Sequence, residues 1–168
     1  LGWEEGVFHV LFSTARRDSQ KKRSALAEAA VRELGNRGVR AELHGLSDVP
    51  HAEVPVWING SDVLLFTSRA DEGSPNIVKE SLACNLPVVT VDAGDAAERI
   101  EGIAGCHLAP PDPEALATAL ERVWSGPRVV DGRAAVDSLS LEAVAERVLE
   151  VYRSAVEHRS ARARRGRA

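Results

Sequence analysis

Two groups of residues in this chain have the types and spacing to hold a polar, anionic ligand. The first is STARRDSQKKR (residues 13–23), which places Arg16, Arg17, Lys21, Lys22 and Arg23 within eight positions of an otherwise acidic chain. Arg forks onto phosphate oxygens and Lys acts as a point charge, so such a run after a strand suits an anion. The same run also reads as a solvated charge cluster, although cations at a helix start oppose its dipole. The second group lies in TSRADEGSPNIVKESLACNLPVV (residues 67–89). Gly73 lets backbone approach a ligand closely, and Ser74 is placed to cap a helix whose first residue is Pro75. The start of that helix offers unpaired N–H groups and a positive dipole end to a diphosphate. Glu72 stands just before the helix and Glu80 about one and a half turns inside it, on the same face as Asn76 at i, i+4. A carboxylate has two acceptor oxygens and can take both hydroxyls of a vicinal diol, as ribose or a hexose presents them. The Glu72–Glu80 spacing means nothing alone, since Glu142 and Glu150 repeat it on what reads as a solvated helix face.

These residues must be positioned by elements that alternate along the chain. Short apolar runs at 7–12 (VFHVLF), 39–43, 62–66 (DVLLF) and 87–91 (PVVTV) predict strands, with a short edge strand at 105–108. The run at 62–66 barely alternates, which predicts burial on both faces. Helices are expected at 24–35, 51–59, from Pro75 to about residue 85, at 96–101, at 113–124 behind an Asp112 cap, and at 141–158. Leu116, Leu120 and Val123 share one face of the 113–124 helix, and Val144, Val148, Val151 and Tyr152 one stripe of the last. Residues 125–138 read as loop. Strand and helix alternating in this way predict an α/β fold, a Rossmann-like, doubly wound, mostly parallel sheet with helices on both faces. Such sheets bind ligands beyond the carboxyl ends of their strands, near the switch point. The loops after residues 12, 43, 66 and 91 are therefore the ones that matter.

Composition narrows the class of function. At 168 residues the chain can bury one substantial core. No apolar run approaches a membrane span, the charged start resembles no secretory signal, and two cysteines exclude a disulfide scaffold. The net charge of −4 conceals an asymmetry, because residues 159–168 carry five Arg and no acid. The acidic body argues against nucleic acid as a partner. The basic end is expected to be a disordered tail, 159–168, following one domain over 1–158, with acidic lipid or a partner as its alternative uses. The chain has no Met and begins at Leu1, which leads to the expectation of an excised or processed domain. Cys84 and Cys106 have no CxxC spacing and read as small buried side chains. The five His show no metal spacing, so no metal site is expected. Asp92 and Asp95 flank Gly94 in a strand-end loop and read as turn residues rather than ligands.

Residues 62–98 resemble the C-terminal, donor-binding domain of the retaining, two-domain glycosyltransferases of GT-B type, often called group 1 or family 4. The matching positions are Thr67-Ser68, Glu72-Gly73, Glu80, Leu82-Ala83-Cys84, Pro87-Val88-Val89, Gly94 and Glu98. Arg17 and Lys22 match the separation of the family's Arg-x4-Lys element. The likeness covers roughly residues 7–124.

The resemblance implies a role for each residue. Arg17 and Lys22 are expected to hold the donor's diphosphate, aided by backbone N–H groups near Asn76 and Ile77, with Gly73 and Ser74 in the same turn. Glu72 is expected to bind hydroxyls of the donor sugar and Glu80 the ribose hydroxyls. His44 and Gly45 fall where the family lines its base pocket. The donor would be a UDP-, GDP- or ADP-sugar, with no cofactor and no metal needed. The acceptor, a glycan or lipid, would be bound by a separate N-terminal domain, so this chain alone is expected to transfer nothing. The resemblance leans towards bacterial surface-polysaccharide synthesis in the cytoplasm, with peripheral association at the inner membrane face left open. Two departures stand out: Glu-Gly-Ser-Pro replaces Glu-Gly-Phe-Gly, and residues 39–57 are short by about one strand–helix unit. A nucleotide-binding subunit with a partner chain, and half of a nucleotide-sugar epimerase, are the alternatives.

Overall fold

This computed structural model describes residues 1–13 and 21–165, with side chains through residue 159. The chain divides into two compact units, Leu1–Ala135 and Val136–Ala168.

The first unit is built on five parallel strands: β1 (Phe8–Ser13), β2 (Ala41–Leu46), β3 (Val63–Phe66), β4 (Val88–Thr90) and β5 (His107–Leu108). Their order is β2-β1-β3-β4-β5. The intervening helices are α1 (Ser24–Asn36), α2 (Val54–Gly60), α3 (Asn76–Ala83) and α4 (Ala96–Ile100), with α5 (Pro113–Ser125) and α6 (Arg133–Val136) after the last strand. Helix α1 packs against α5, while α2, α3 and α4 pack in sequence against one another, so helices cover both faces. The central strands β1, β3 and β4 are correspondingly apolar, whereas the edge strands β2 and β5 are half-exposed. Phe8, Val10 and Leu11 of β1, Val63 to Leu65 of β3 and Val88 and Val89 of β4 are fully buried. The expected doubly wound α/β architecture is therefore present. Because β2 lies on one side of β1 and β3 on the other, the winding reverses between β1 and β3.

The details depart from sequence expectation in three places. Strand β2 is displaced to Ala41–Leu46, because its register follows β1, where Phe12 pairs with Gly45 and Ser13 with Leu46. Helix α3 starts one residue later than expected, with Pro75 at the N-cap and no side-chain cap, so Ser74 does not serve as one. It ends in a Schellman turn: Leu86 N–H reaches Ser81 O, Asn85 N–H reaches Leu82 O, and Asn85 takes the left-handed φ of 59°. Finally, the stretch expected as loop contains α6 and a 3-10 turn at Asp137–Leu139.

The second unit holds that turn and α7 (Leu141–Arg165), whose start is capped by Ser140 accepting from Ala143 N–H at 3.2 Å. The helix continues through most of the basic end that composition assigns to a disordered tail. Among the described residues no helix is long and apolar enough to cross a membrane.

Helix α5 follows its sequence reading closely. Asp112 Oδ1 accepts from the N–H groups of Glu114 and Ala115 at 3.0 Å each, and Leu116, Leu120 and Val123 are buried. Asp112→Ala is expected to lower stability by about 1 kcal/mol. A urea titration checks this as a lower midpoint with unchanged slope.

Candidate functional site

The loops that leave β1 and β3 meet at the switch point and are tied to each other. Thr67 Oγ1 donates to Lys22 O at 2.8 Å, and Arg69 N–H donates to Lys21 O at 3.0 Å. Arg23 donates from Nε to Thr67 O at 2.6 Å and from Nη2 to Ser68 O at 2.7 Å. Arg23 itself sits in the left-handed region at φ 52°, an unfavourable conformation for a side chain of this size that these two bonds hold in place. Burial, and then the neighbouring Arg69 charge, pull its guanidinium below its ordinary value. Arg23 therefore belongs to the scaffold, although its sequence position suggests an anion ligand.

These ties set Lys22 beside Glu72. Lys22 Nζ donates to Glu72 Oε2 at 3.0 Å, with the two side chains only 19% and 17% exposed, and lies 5.4 Å from the centre of the Phe66 ring. A cavity of about 390 Å³ opens next to the pair. Lys22, Glu72, Ser74, Asn76, Ile77 and Glu80 all line it, so the structure brings together six of the residues singled out from sequence. Since α3 has no side-chain cap, its first N–H groups face this region without an intrahelical partner. Lys22 is the one cation among the described lining residues, against the carboxylates of Glu72 and Glu80. Arg17 lies outside the described residues. Lys21 leans away, with Nζ 3.4 Å from Asp71 O.

A second clamp fixes the Glu72–Ser74 turn from behind. Asp95 N–H donates to Gly73 O at 3.1 Å, and Ser74 Oγ donates to Asp95 Oδ2 at 2.7 Å. Arg99 donates to the same oxygen from Nε at 2.9 Å, and Lys79 Nζ donates to Ser74 Oγ at 3.2 Å. Gly94, at φ 57°, comes so close that a Cβ there would lie 1.8 Å from Gly73 O. The glycine is thus required by backbone approach, and Asp95 is structural, as its turn context suggests. Ser74 spends its hydroxyl on this clamp, which explains why it does not cap α3.

His44 and Gly45 do not join the cavity. They lie inside β2, and the His44 ring stacks on Trp3 at 3.8 Å between centroids. Burial, and then the adjacent His9, push His44 below its ordinary value against the pull of Glu42. The lining residues missed from sequence are Ser13, Leu46, Val54 and Pro75. Ser13 heads the basic loop in the sequence reading but ends β1 in the structure, Leu46 needed the true extent of β2, and Val54 sits at the start of α2. His51, 93% exposed, places Nε2 3.5 Å from Glu80 Oε1 and was also missed. Cys84 and Cys106 are partly rather than fully buried, and burial pushes both thiols up, away from nucleophilic use. A larger cleft of about 600 Å³ between the N-terminal residues and α2 has no ionisable side chain in its lining, which leaves it without comparable chemistry.

Residues 15–126 match the family model for glycosyl transferases group 1. Among solved structures, the chain is similar to sucrose-phosphate synthase from Thermosynechococcus elongatus, at 22% identity and a TM-score of 0.69 over 89% of this chain and 46% of that one. It is similar to Anabaena HepE, solved in complex with UDP and glucose, at 20% identity and a TM-score of 0.63 over 89% and 49% of the two chains. A third similar structure is AviGT4, a glycosyltransferase involved in avilamycin A biosynthesis, at 21% identity and a TM-score of 0.62 over 87% and 50%. At these identities the likeness is one of fold, and the chain spans about half the length of each structure. A search of curated protein sequences returns no significant match.

The Asp95 clamp carries a pH dependence. Burial raises the Asp95 carboxyl, but hydrogen bonds from Ser74 and Arg99, with the charges of Arg99 and Lys79, outweigh it and hold the group below its ordinary value. A carboxyl depressed on folding stabilises the fold above its unfolded value near 3.9, and this contribution is lost as pH falls through the folded value. The stability difference between the natural chain and Asp95→Asn is therefore expected to hold from pH 7 to about 5 and to shrink below about 4. Urea titrations at each pH measure it.

Proposed function

The chain belongs to the group 1 glycosyl transferases, and from that premise we propose that it is the half of such an enzyme that binds a nucleotide-diphosphate sugar. The observation that carries this reading is the single cavity at the β1/β3 switch point, where Lys22, Glu72, Glu80 and the open start of α3 converge. Lys22, Arg17 and the N–H groups at Asn76 and Ile77 take the diphosphate. Glu80 accepts the two ribose hydroxyls and Glu72 the hydroxyls of the donor sugar. His51, 3.5 Å from Glu80, together with Leu46 and Val54 of the cavity lining, receives the base in place of His44 and Gly45, which lie outside that lining.

The reaction breaks the bond between the anomeric carbon and the diphosphate, with net retention at that carbon. The chain's main contribution is to stabilise the charge that builds on the departing phosphate. Each well-placed donor in a pocket of this kind contributes roughly 3–4 kcal/mol to the barrier reduction. The acceptor, a glycan or a lipid-linked glycan, is held by a further domain that completes the cleft. The setting is polysaccharide assembly on the cytoplasmic side of a membrane.

Calorimetric titration with UDP, GDP and ADP tests the donor site. One diphosphate is expected to bind saturably, with Lys22→Ala and Glu80→Ala each weakening it roughly 10- to 100-fold, the size of a lost charge-assisted hydrogen bond. Binding of no nucleotide, or binding that neither substitution changes, overturns the assignment. In a transfer assay with the cognate nucleotide sugar and a glycan acceptor, the chain alone is expected to show no turnover. Steady transfer by this polypeptide contradicts the proposed division of labour, and epimerisation of the donor without acceptor moves the reading to a nucleotide-sugar epimerase.

A further inference from the structure

His9 and His44 are 35 residues apart in sequence and stand side by side on one face of the sheet, at its β2 edge. Parallel pairing sets His9 opposite Glu42 and Leu11 opposite His44, so His9, Glu42 and His44 share that face. His9 Nδ1 is 2.9 Å from His44 Nε2, and Glu42 Oε2 is 3.8 Å from the same nitrogen. The three ligand atoms all fall within 4.8 Å of one another, the one such group found among the described residues. None of the three residues has a part in the proposed donor site.

The surroundings fix how the nitrogens are presented. His9 Nε2 lies 3.0 Å from the carbonyl of Glu4, which can only accept, so Nε2 carries the ring proton, Nδ1 accepts, and His44 Nε2–H donates to it. An ion entering here replaces that shared proton as His44 shifts to its Nδ1–H tautomer. Glu4 is itself anchored by Arg40 Nη1 at 2.8 Å. A metal-binding imidazole is oriented in the same manner, by giving its other N–H to a carbonyl or carboxylate. Two nitrogens bound at 2.0–2.1 Å stand about 3.3 Å apart at a tetrahedral angle, so the pair, at 2.9 Å, opens by about 0.4 Å to take the ion. Glu42 is 51% exposed and free to rotate the remaining distance. The Trp3 indole, stacked on His44 with an interplanar angle of 11°, covers one side.

The geometry points to a binding site for one divalent transition ion of the zinc type, held by His9 Nδ1, His44 Nε2 and the Glu42 carboxylate, with water as the fourth ligand. Two imidazoles and a carboxylate with an open position form a donor set that zinc accepts. The ion clips the edge strand β2 to β1. Ser13 and Leu46, at the carboxyl ends of those strands, line the candidate donor cavity, so the clip steadies one of its walls.

Calorimetry with Zn²⁺ on the full chain tests the site, with Co²⁺ as a spectroscopic probe and Trp fluorescence as a reporter for Trp3. The expected result is saturable uptake of one equivalent, visible Co²⁺ bands of tetrahedral intensity, and a Tm that rises with Zn²⁺ concentration. His44→Asn abolishes the uptake. Glu42→Gln, at an exposed position that leaves the His9–His44 pair in place, weakens it at least tenfold. No saturable uptake of either ion overturns the proposal. So does uptake that both substitutions leave unchanged, which would assign the ion to surface histidines such as His51.

Discussion

The candidate site depends on the bonds that join the loop after β1 to the loop after β3. Lys22 is the described cation of the cavity, yet it stands on the first of these loops while Glu72, its partner, stands on the second. What fixes their distance is the backbone: the Thr67 hydroxyl on Lys22 O, the Arg23 guanidinium on Thr67 O and Ser68 O, and the Arg69 N–H on Lys21 O. Carbonyls at strand ends in the interior need such partners, since a buried, unpaired one costs about 1–3 kcal/mol. Arg23 satisfies two at once with its fork, and its left-handed backbone is a local cost set against that gain. The Thr-Ser pair at the end of β3 thus acts on the chemistry at one remove, by steering the chain that carries Lys22.

The same logic governs the other side of the cavity. Glu72 is followed by Gly73 and Ser74, and both are held by the loop after β4: Gly73 O by the Asp95 N–H, and the Ser74 hydroxyl by the Asp95 carboxylate. The approach is close enough that position 94 admits no side chain. Three consecutive strand-end loops, after β1, β3 and β4, are thereby linked into one rim. A rim fixed by hydrogen bonds to backbone leaves the functional side chains little to rearrange, which is the condition for preorganised electrostatics.

The strand-and-helix alternation, the buried β3 and the Asp112-capped α5 were legible because local pattern determines them. So was the Glu72–Glu80 segment, since both its carboxylates and the turn between them lie in one short stretch of chain. What escaped was set by partners distant in sequence. The basic run reads as an anion site or a solvated charge cluster, yet Arg23 is committed to the carbonyls just after β3 and Lys21 to Asp71, and among the described residues of the run only Lys22 lines the cavity. Ser74 looks like a cap until Asp95, 21 residues on, claims its hydroxyl. The His9–His44 pair is invisible to any rule of short metal spacing, because the register of parallel strands puts together residues on either side of a whole helix. The end of β2 was misplaced for a related reason: its length is set by β1, and the alternation over 41–44 breaks at Gly45-Leu46, so nothing local announces the last two residues.

The charges that line the cavity bear on which ligand fits it. Among the described residues they are two carboxylates, Glu72 and Glu80, and one cation, Lys22. A bare phosphate is attracted by one of these charges and repelled by two. A nucleotide-diphosphate sugar, the ligand proposed above, offers hydroxyls to carboxylates as well as an anion to the cation. Binding it need not break the Lys22–Glu72 pair, because an ammonium has three donors and spends one on Glu72. The remaining two are available to phosphate oxygens, while Glu72 keeps lone pairs for the sugar. Removing Lys22 from such a half-buried pair would leave an unpaired carboxylate facing the diphosphate, a charge penalty that adds to the lost contact. On the proposed reading, the Lys22–Glu72 pair and Glu80 therefore favour the sugar-bearing ligand over the anion alone.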